Sequence, residues 1–72
     1  MFINGNYLND LFKAGRFDKE CKVSKITIYN DDYITAIIYA NKVVYDNDIL
    51  ALYDNDSYIG ALNLTKIQKI EI

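Results

Sequence analysis

The stretch Val43-Val44-Tyr45-Asp46-Asn47-Asp48-Ile49-Leu50-Ala51-Leu52-Tyr53-Asp54-Asn55-Asp56 repeats one short unit. An apolar run ends in tyrosine, and an Asp-Asn-Asp cluster follows it. Aspartate and asparagine side chains hydrogen-bond the backbone of tight turns, whereas β-branched and aromatic runs of this length favour strands. The pattern predicts an antiparallel meander with strands at Val43–Tyr45, Ile49–Tyr53 and Tyr58–Leu64.

The strand pattern extends in both directions from this segment. Upstream, Val23–Tyr29 and Tyr33–Ala40 are rich in β-branched residues and are separated by the polar cluster 30–32. Downstream, Ile67–Ile72 alternates and predicts a last short strand. Asn41-Lys42 is compatible with a tight turn or with a kink in one long bent strand, and periodicity does not decide between them.

The first residues instead have helical spacing, which predicts one short helix near Tyr7–Ala14. Asn6 is a suitable N-cap, and Gly15 is a suitable stop after the last turn. The apolar residues that share one face are Leu8, Leu11 and Phe12. About two turns of helix are unstable alone, so we expect this face to cover an open end of the strand structure.

Length and composition allow one small domain. The chain has 72 residues, of which 51% are hydrophobic, and a domain of this size buries about 60% of its unfolded surface. We therefore predict a mostly β domain with a helical segment over residues 1–17 and about five antiparallel strands over residues 18–72, forming a small SH3/Sm-like barrel. The predicted core residues are Leu11, Phe12, Val23, Ile26, Ile28, Ile38, Leu50, Leu52, Leu62, Ile67 and Ile70.

The order of one helix followed by short strands resembles the Sm-like family of small SH3-type barrels. The segments that carry the resemblance are Ile26–Tyr29, Asp31-Asp32, Tyr33–Ile38 and Ile59–Ile72. It implies a barrel that oligomerises and binds RNA or a nucleotide. The family has glycine where this chain has Asp32 and Ala36, and a basic pair where it has Leu64-Thr65, so the RNA-contacting residues do not carry over.

The chain lacks residues that several catalytic mechanisms require. The chain has no histidine, the commonest general base and metal ligand, and therefore no histidine base for the thiol of its single cysteine, Cys21. The three glycines form no phosphate-binding loop. We therefore expect no enzyme activity, no catalytic residues and no cofactor.

The sequence contains the start of a calcium-binding loop but not the rest of its ligands. Asp54-Asn-Asp56 begins like an EF-hand loop, which also requires a glycine and a glutamate at fixed later positions. Ile59 and Thr65 occupy those positions. Two carboxylates without further oxygen ligands make a poor site, so no metal is expected.

The sequence also bears on location. The opening residues show no secretory signal pattern, and the longest apolar runs are far shorter than the ~20 residues of a membrane-spanning helix. A single cysteine forms no intrachain disulfide. We expect a cytoplasmic protein without membrane association.

The acidic turns are the most visible candidate site. Residues 1–30 carry a net charge of +2 and residues 31–72 carry −4, with most of the acidic groups in turns. They are either solvated turn residues or an acidic face that meets a basic partner. The candidate partner-binding residues are Asp46, Asp48, Asp54, Asp56, Tyr45, Tyr53 and Tyr58.

Seven tyrosines are many for a chain of this length. They fit a small barrel wall, protein-contact anchors, or stacking platforms for bases if cations lie alongside. In the sequence the cations cluster over residues 13–25, away from most of the tyrosine-rich turns. Arg16, Lys22 and Lys25 are the candidate phosphate contacts.

The sequence leads to two hypotheses about function. The first is a small non-enzymatic binding protein that inhibits a host defence or nucleic-acid-handling protein by occupying its basic surface. The compact, acidic chain, rich in residues with A/T-rich codons, is similar in style to phage and mobile-element inhibitors, anti-CRISPR proteins among them. The alternative is an Sm-like oligomer that binds RNA or sequesters a nucleotide. In either case we expect a homo-oligomer formed through free edges at Tyr33–Ala40 and Ile67–Ile72.

Overall fold

The computed structural model describes residues 1–72 and contains eight strands, one α-helix and one 3-10 turn. The elements are β1 (Phe2–Asn4), α1 (Gly5–Lys13), β2 (Glu20–Lys22), β3 (Ile26–Asn30), β4 (Tyr33–Ile38), β5 (Lys42–Asp46), β6 (Ile49–Asp54), β7 (Ser57–Asn63), the 3-10 turn (Leu64–Lys66) and β8 (Lys69–Glu71). Sheet A has the order β1-β8-β3-β4, and sheet B has the order β2-β5-β6-β7. All pairings are antiparallel.

The predicted mostly β, antiparallel architecture with a helix near the N-terminus is confirmed, but the barrel is not. The strands form two four-stranded sheets that do not close into one barrel. The count of about five strands was too low because β1 and β2 have three residues each, too few for alternation to be visible, and because β4 and β5 are separate strands. An unpredicted strand, β1, precedes the helix, and its residue Ile3 pairs with Ile70 of β8.

Two-residue turns occur where the aspartate and asparagine clusters predict them. They connect β3 to β4, β5 to β6 and β6 to β7. The residues with positive φ in these turns are Asp31, Asn47, Asp48, Asn55 and Asp56. Asparagine and aspartate tolerate this conformation better than other residues with a Cβ, and it matches the twist of a hairpin. The meander β5-β6-β7 is therefore confirmed.

The segment around Asn41 connects the two sheets. β4 ends at Ile38 in sheet A, and β5 begins at Lys42 in sheet B. These two strands do not pair with each other, so Asn41-Lys42 is not a hairpin turn. The chain instead crosses from one sheet to the other through residues 39–41.

The helix begins earlier than predicted. Its N-cap is Asn4 rather than Asn6, and the Asn4 side chain accepts a hydrogen bond from the Tyr7 amide at 3.1 Å. The Asn4 amide group also donates to the carbonyl of Gln68 at 3.0 Å. The cap is therefore set by contact with the residue before β8, which the local sequence does not reveal.

The helix ends as predicted at Gly15, which has φ +73°. The amide of Gly15 donates to the carbonyl of Phe12, and that of Arg16 donates to Leu11, both at 3.0 Å. These two bonds form the Schellman motif that closes many helices. No helix of the structure combines the length and apolar character needed to cross a bilayer.

The core lies between the sheets and under the helix. Its buried hydrophobic residues are Leu8, Phe12, Ile26, Ala40, Val43, Tyr45, Leu50, Leu52, Leu64 and Ile70. Five predicted core residues belong to it: Phe12, Ile26, Leu50, Leu52 and Ile70. Five others pack against it while partly buried: Val23, Ile28, Ile38, Leu62 and Ile67. Leu11 is half-buried outside this core, because Leu8 and Phe12 take the inner positions of the helix.

One of the two predicted free edges is correct. β4 lies at the edge of sheet A, whereas β8, within the predicted edge Ile67–Ile72, lies between β1 and β3. The second prediction was wrong because the N-terminal strand pairs along β8. The backbone amide of Ile72 donates to the carbonyl of Met1 at 2.9 Å and extends this pairing.

The helix approaches the 3-10 turn closely at Gly5, a buried position. A Cβ at this position would overlap the carbonyl oxygens of Leu64 and Ile67. The amide of Gly5 also donates to the Ile67 carbonyl at 3.2 Å. Only glycine allows the helix to start at this distance from the turn.

Gly5→Ala is therefore expected to lower the free energy of unfolding by about 3 kcal/mol or more, since two backbone carbonyls must move. The control is Gly15→Ala, where a Cβ meets open space and only the positive φ costs about 1–2 kcal/mol. Chemical denaturation of both variants checks this. Equal losses would show that the close approach of the helix is not needed.

Candidate functional site

The two Asp-Asn-Asp clusters do not form one acidic face. They follow β5 and β6 and therefore lie at opposite ends of β6. Six residues of extended strand separate them by roughly 20 Å. The predicted site thus divides into a β5–β6 end and a β6–β7 end.

The β5–β6 end is tied to the protein interior by a polar network. Tyr45 is only 5% exposed, and its ring stacks on Phe12 with centroids 4.6 Å apart. The Tyr45 hydroxyl donates to Oδ1 of Asn9 at 2.6 Å, and the backbone amide of Asp48 donates to the same hydroxyl at 3.2 Å. Tyr45 therefore supports the fold and is not a surface contact residue.

Asp48 completes this network. Asn9 Nδ2 donates to Asp48 Oδ1 at 2.8 Å, and Lys13 Nζ lies 2.9 Å from the same oxygen. The hydrogen bonds from Lys13 and Asn9 hold the pKa of Asp48 below its usual value. The Asp48 carbonyl also accepts from the Leu64 amide at 2.9 Å. In this turn only Asp46 is an exposed carboxylate without an ion pair.

The β6–β7 end presents tyrosines and carboxylates together at the surface. Tyr53 lies opposite Tyr58, and their rings meet edge to face at 5.8 Å. Tyr58 is 62% exposed. Asp54 is exposed and unpaired, and Asp56 reaches Lys42 at 3.4 Å. These four predicted site residues are brought together, and we call Tyr53, Asp54, Asp56 and Tyr58 the hairpin site.

Asn41 holds the turn of the hairpin site in place. Its side chain accepts from the backbone amide of Asn55 and donates to Oδ1 of Asn55, both at 3.2 Å. Its backbone amide donates to the Tyr53 carbonyl at 3.0 Å. The role of Asn41 is not visible in the sequence, because its partner Asn55 lies fourteen residues away, after β5 and β6.

Lys42 connects the hairpin site to β2. Its Nζ lies 5.0 Å from the centre of the Tyr53 ring and 3.3 Å from the Glu20 carboxylate. Hydrogen bonds to Glu20 and Asp56 raise the pKa of Lys42. In the register of sheet B, Lys42 lies opposite Lys22 on one side and Tyr53 on the other.

A row of side chains thus crosses the outer face of sheet B. Its members, in strand order, are Lys22, Lys42, Tyr53 and Tyr58. At about 4.8 Å between strands the row spans roughly 14 Å. The structure therefore places two cations beside two tyrosines, which the linear sequence does not show.

The other predicted phosphate contacts are outside this row. Arg16 follows the helix and Lys25 precedes β3, and both are exposed without an ion pair. Only Lys22 of the three candidate cations belongs to the row. A shallow hollow lies beside it, lined by Lys22, Val23, Asn41, Lys42 and Asp56.

The remaining reactive group is the Cys21 thiol. It is half-buried and donates to the Asp18 carbonyl at 3.0 Å. Burial, and then the charge of Asp18, raise the pKa of this thiol, which lowers its thiolate fraction and its reactivity at neutral pH. No three His, Cys, Asp or Glu side chains are grouped as metal ligands.

Comparisons with known proteins add no relative to this geometry. A scan against models of known protein families and searches of curated proteins and of solved structures returned no match. The functional interpretation therefore depends on the hairpin site and its surroundings.

Asp48→Asn is expected to destabilise the protein most near neutral pH. Because the folded-state pKa of Asp48 is lowered, its carboxylate stabilises the fold above its unfolded pKa of about 3.9, and this contribution is lost as pH falls through the lower folded value. The difference in unfolding free energy from the parent should shrink below about pH 4.

The measurement is urea denaturation of both proteins from pH 7 to pH 2. Asp46→Asn, in the same turn but without an ion pair, is the matched control. A difference between Asp48→Asn and the parent that stays constant over this range would contradict the role of the carboxylate.

Proposed function

We propose that this protein is a small non-enzymatic binding protein that occupies a basic surface of another macromolecule with its hairpin site. The observation that carries the proposal is a pair of tyrosines, the exposed Tyr58 and the half-buried Tyr53, bordered by carboxylates on a turn that Asn41 holds in place. The charged groups in and around the row on sheet B are the three carboxylates of Glu20, Asp54 and Asp56 and the two ammonium groups of Lys22 and Lys42. The local net charge is −1.

The chemistry of these groups suits protein recognition. Tyrosine gives a large contact area with few rotatable bonds, and it is frequent among the residues that dominate binding energy. Carboxylates at its rim steer a basic partner and fix its orientation. Because Asn41 already orders the turn, little conformational entropy is lost on binding.

The partner class is a host defence or nucleic-acid-handling protein. A basic groove that normally holds nucleic acid is complementary to this acidic, tyrosine-bearing end. The composition supports a phage or mobile-element origin, and the activity would then be exerted in the host cytoplasm. In this proposal the protein acts by steric occupation and needs no cofactor.

The row of Lys22, Lys42, Tyr53 and Tyr58 favours a second candidate. Aromatic faces beside cations bind bases and phosphates of single-stranded nucleic acid, the activity that the Sm-like resemblance implies. Lys42, however, is already paired with Glu20 and Asp56. One unpaired cation, Lys22, is left among three carboxylates, so RNA or nucleotide binding ranks second.

Binding to a fluorescent arginine-rich peptide and to a single-stranded RNA oligonucleotide tests both candidates. We expect the peptide to bind, Tyr58→Ala to weaken it about 10-fold or more, and Asp54→Asn with Asp56→Asn to weaken it and flatten its salt dependence. Asp46→Asn, at the opposite end of β6, is the control and should bind like the parent.

The reverse pattern would overturn the first candidate. RNA binding that strengthens when Asp54 and Asp56 become asparagine, and weakens in Lys22→Ala, would establish the second candidate. Absence of binding to both probes would contradict both.

A further inference from the structure

The side chains on the outer face of sheet A are exposed or half-buried except for Thr27, which is 3% exposed. Ile3, Ile28 and Ile70 point to the opposite side and pack with the core. On the outer face, register places two rows of side chains. The first is Phe2, Glu71, Thr27 and Ile37, and the second is Asn4, Lys69, Tyr29 and Ile34.

Half of these eight positions carry large apolar or aromatic side chains. Phe2 and Ile34 are each 54% exposed, and Ile37 is 48% exposed. Tyr29 stands beside Phe2, with ring centroids 5.0 Å apart. An outward-facing antiparallel sheet normally alternates to polar residues on its solvent side, so this apolar face indicates a contact surface.

The charges on this face are few and opposite. Lys69 and Glu71 both project from the central strand β8, two residues apart, and the face is neutral. Lys69 Nζ lies 5.5 Å from the Phe2 ring centre, and Glu71 accepts from the Tyr29 hydroxyl at 3.2 Å. Both charged groups are therefore held among the apolar side chains.

We propose that this face binds a second copy of the same chain. The two sheets pack face to face around a two-fold axis that passes between Lys69 and Glu71 of each copy. This symmetry puts Lys69 of one copy against the Glu71 carboxylate of the other, twice. It also covers Phe2, Ile34 and Ile37 of both copies.

Self-association fits this face better than a foreign partner does. A two-fold interface requires a patch that is complementary to itself, and one adjacent Lys–Glu pair meets that requirement. The excess negative charge of the chain, −2 in total, lies elsewhere, so two copies approach without local repulsion. The hairpin site belongs to sheet B, so this inference stands or fails independently of the proposed function.

Edge-to-edge pairing through β4 is the competing arrangement. The register of β4 skips Thr35, because Ala36 pairs with Ile28 and Ile34 pairs with Tyr29. Such a bulge interrupts the ladder and protects an edge from further pairing. Face packing leaves the edge free and uses β8, which edge pairing does not touch.

Charge exchange at β8 separates these arrangements. We expect sedimentation equilibrium to show a parent dimer at ~100 μM, and Lys69→Glu or Glu71→Lys alone to weaken it about 10-fold or more. Mixing the two single variants should restore a dimer, since each then faces its opposite charge. Lys22→Glu, an exposed lysine on sheet B, is the matched control and should dimerise like the parent.

An apolar pair of variants gives a second readout. Ile37→Lys should abolish the dimer, whereas Ile59→Lys, at 46% exposure on β7, should not. Circular dichroism confirms that each variant is folded. A monomeric parent would overturn the proposal, and so would a dimer that neither single charge change at β8 weakens. If such a dimer were still abolished by Ile37→Lys, edge pairing through β4 would be favoured.

Discussion

The amide side chain of Asn9 joins the helix to sheet B, and the placement of several other elements depends on it. Asn9 is only 3% exposed, accepts from the Tyr45 hydroxyl and donates to Asp48. A buried amide without partners costs about 1–3 kcal/mol, and no buried side-chain polar atom in this protein lacks one. The helix is therefore fixed in position as well as buried through Leu8 and Phe12.

This constraint also decides which surfaces remain for binding. Tyr45 and Asp48 are used in holding the helix, and the Asp48 carbonyl holds the start of the 3-10 turn through Leu64. The β5–β6 end thus acts as a structural junction. The tyrosines and carboxylates of the β6–β7 end have no such internal role. This end and the apolar outer face of sheet A, which belong to different sheets, are the two surfaces that we propose for binding.

Local sequence patterns predicted the turns and the main strands, since left-handed turn residues and β-branched runs act over a few residues. The end of the helix at Gly15 is also determined by a few neighbouring residues. The N-cap at Asn4, the strand β1 and the central place of β8 depend on contacts between the chain ends, and β2 depends on its pairing with β5. Local patterns encode neither kind of contact. The division into two sheets depends on such distant pairing as well.

The candidate site could be predicted only in part, because local patterns identify residues that are close in sequence but not their distant partners. Tyr53, Asp54, Asp56 and Tyr58 are close in sequence and remain together in space. Tyr45 and Asp48 looked equivalent to them, and only the distant partner Asn9 distinguishes the two clusters. The most direct test of this account is a double-mutant cycle of Asn9→Ala and Tyr45→Phe, followed by urea denaturation. We expect a coupling free energy of about 0.5–3 kcal/mol, whereas single-variant losses that add within about 0.5 kcal/mol would show that Asn9 and Tyr45 do not act together.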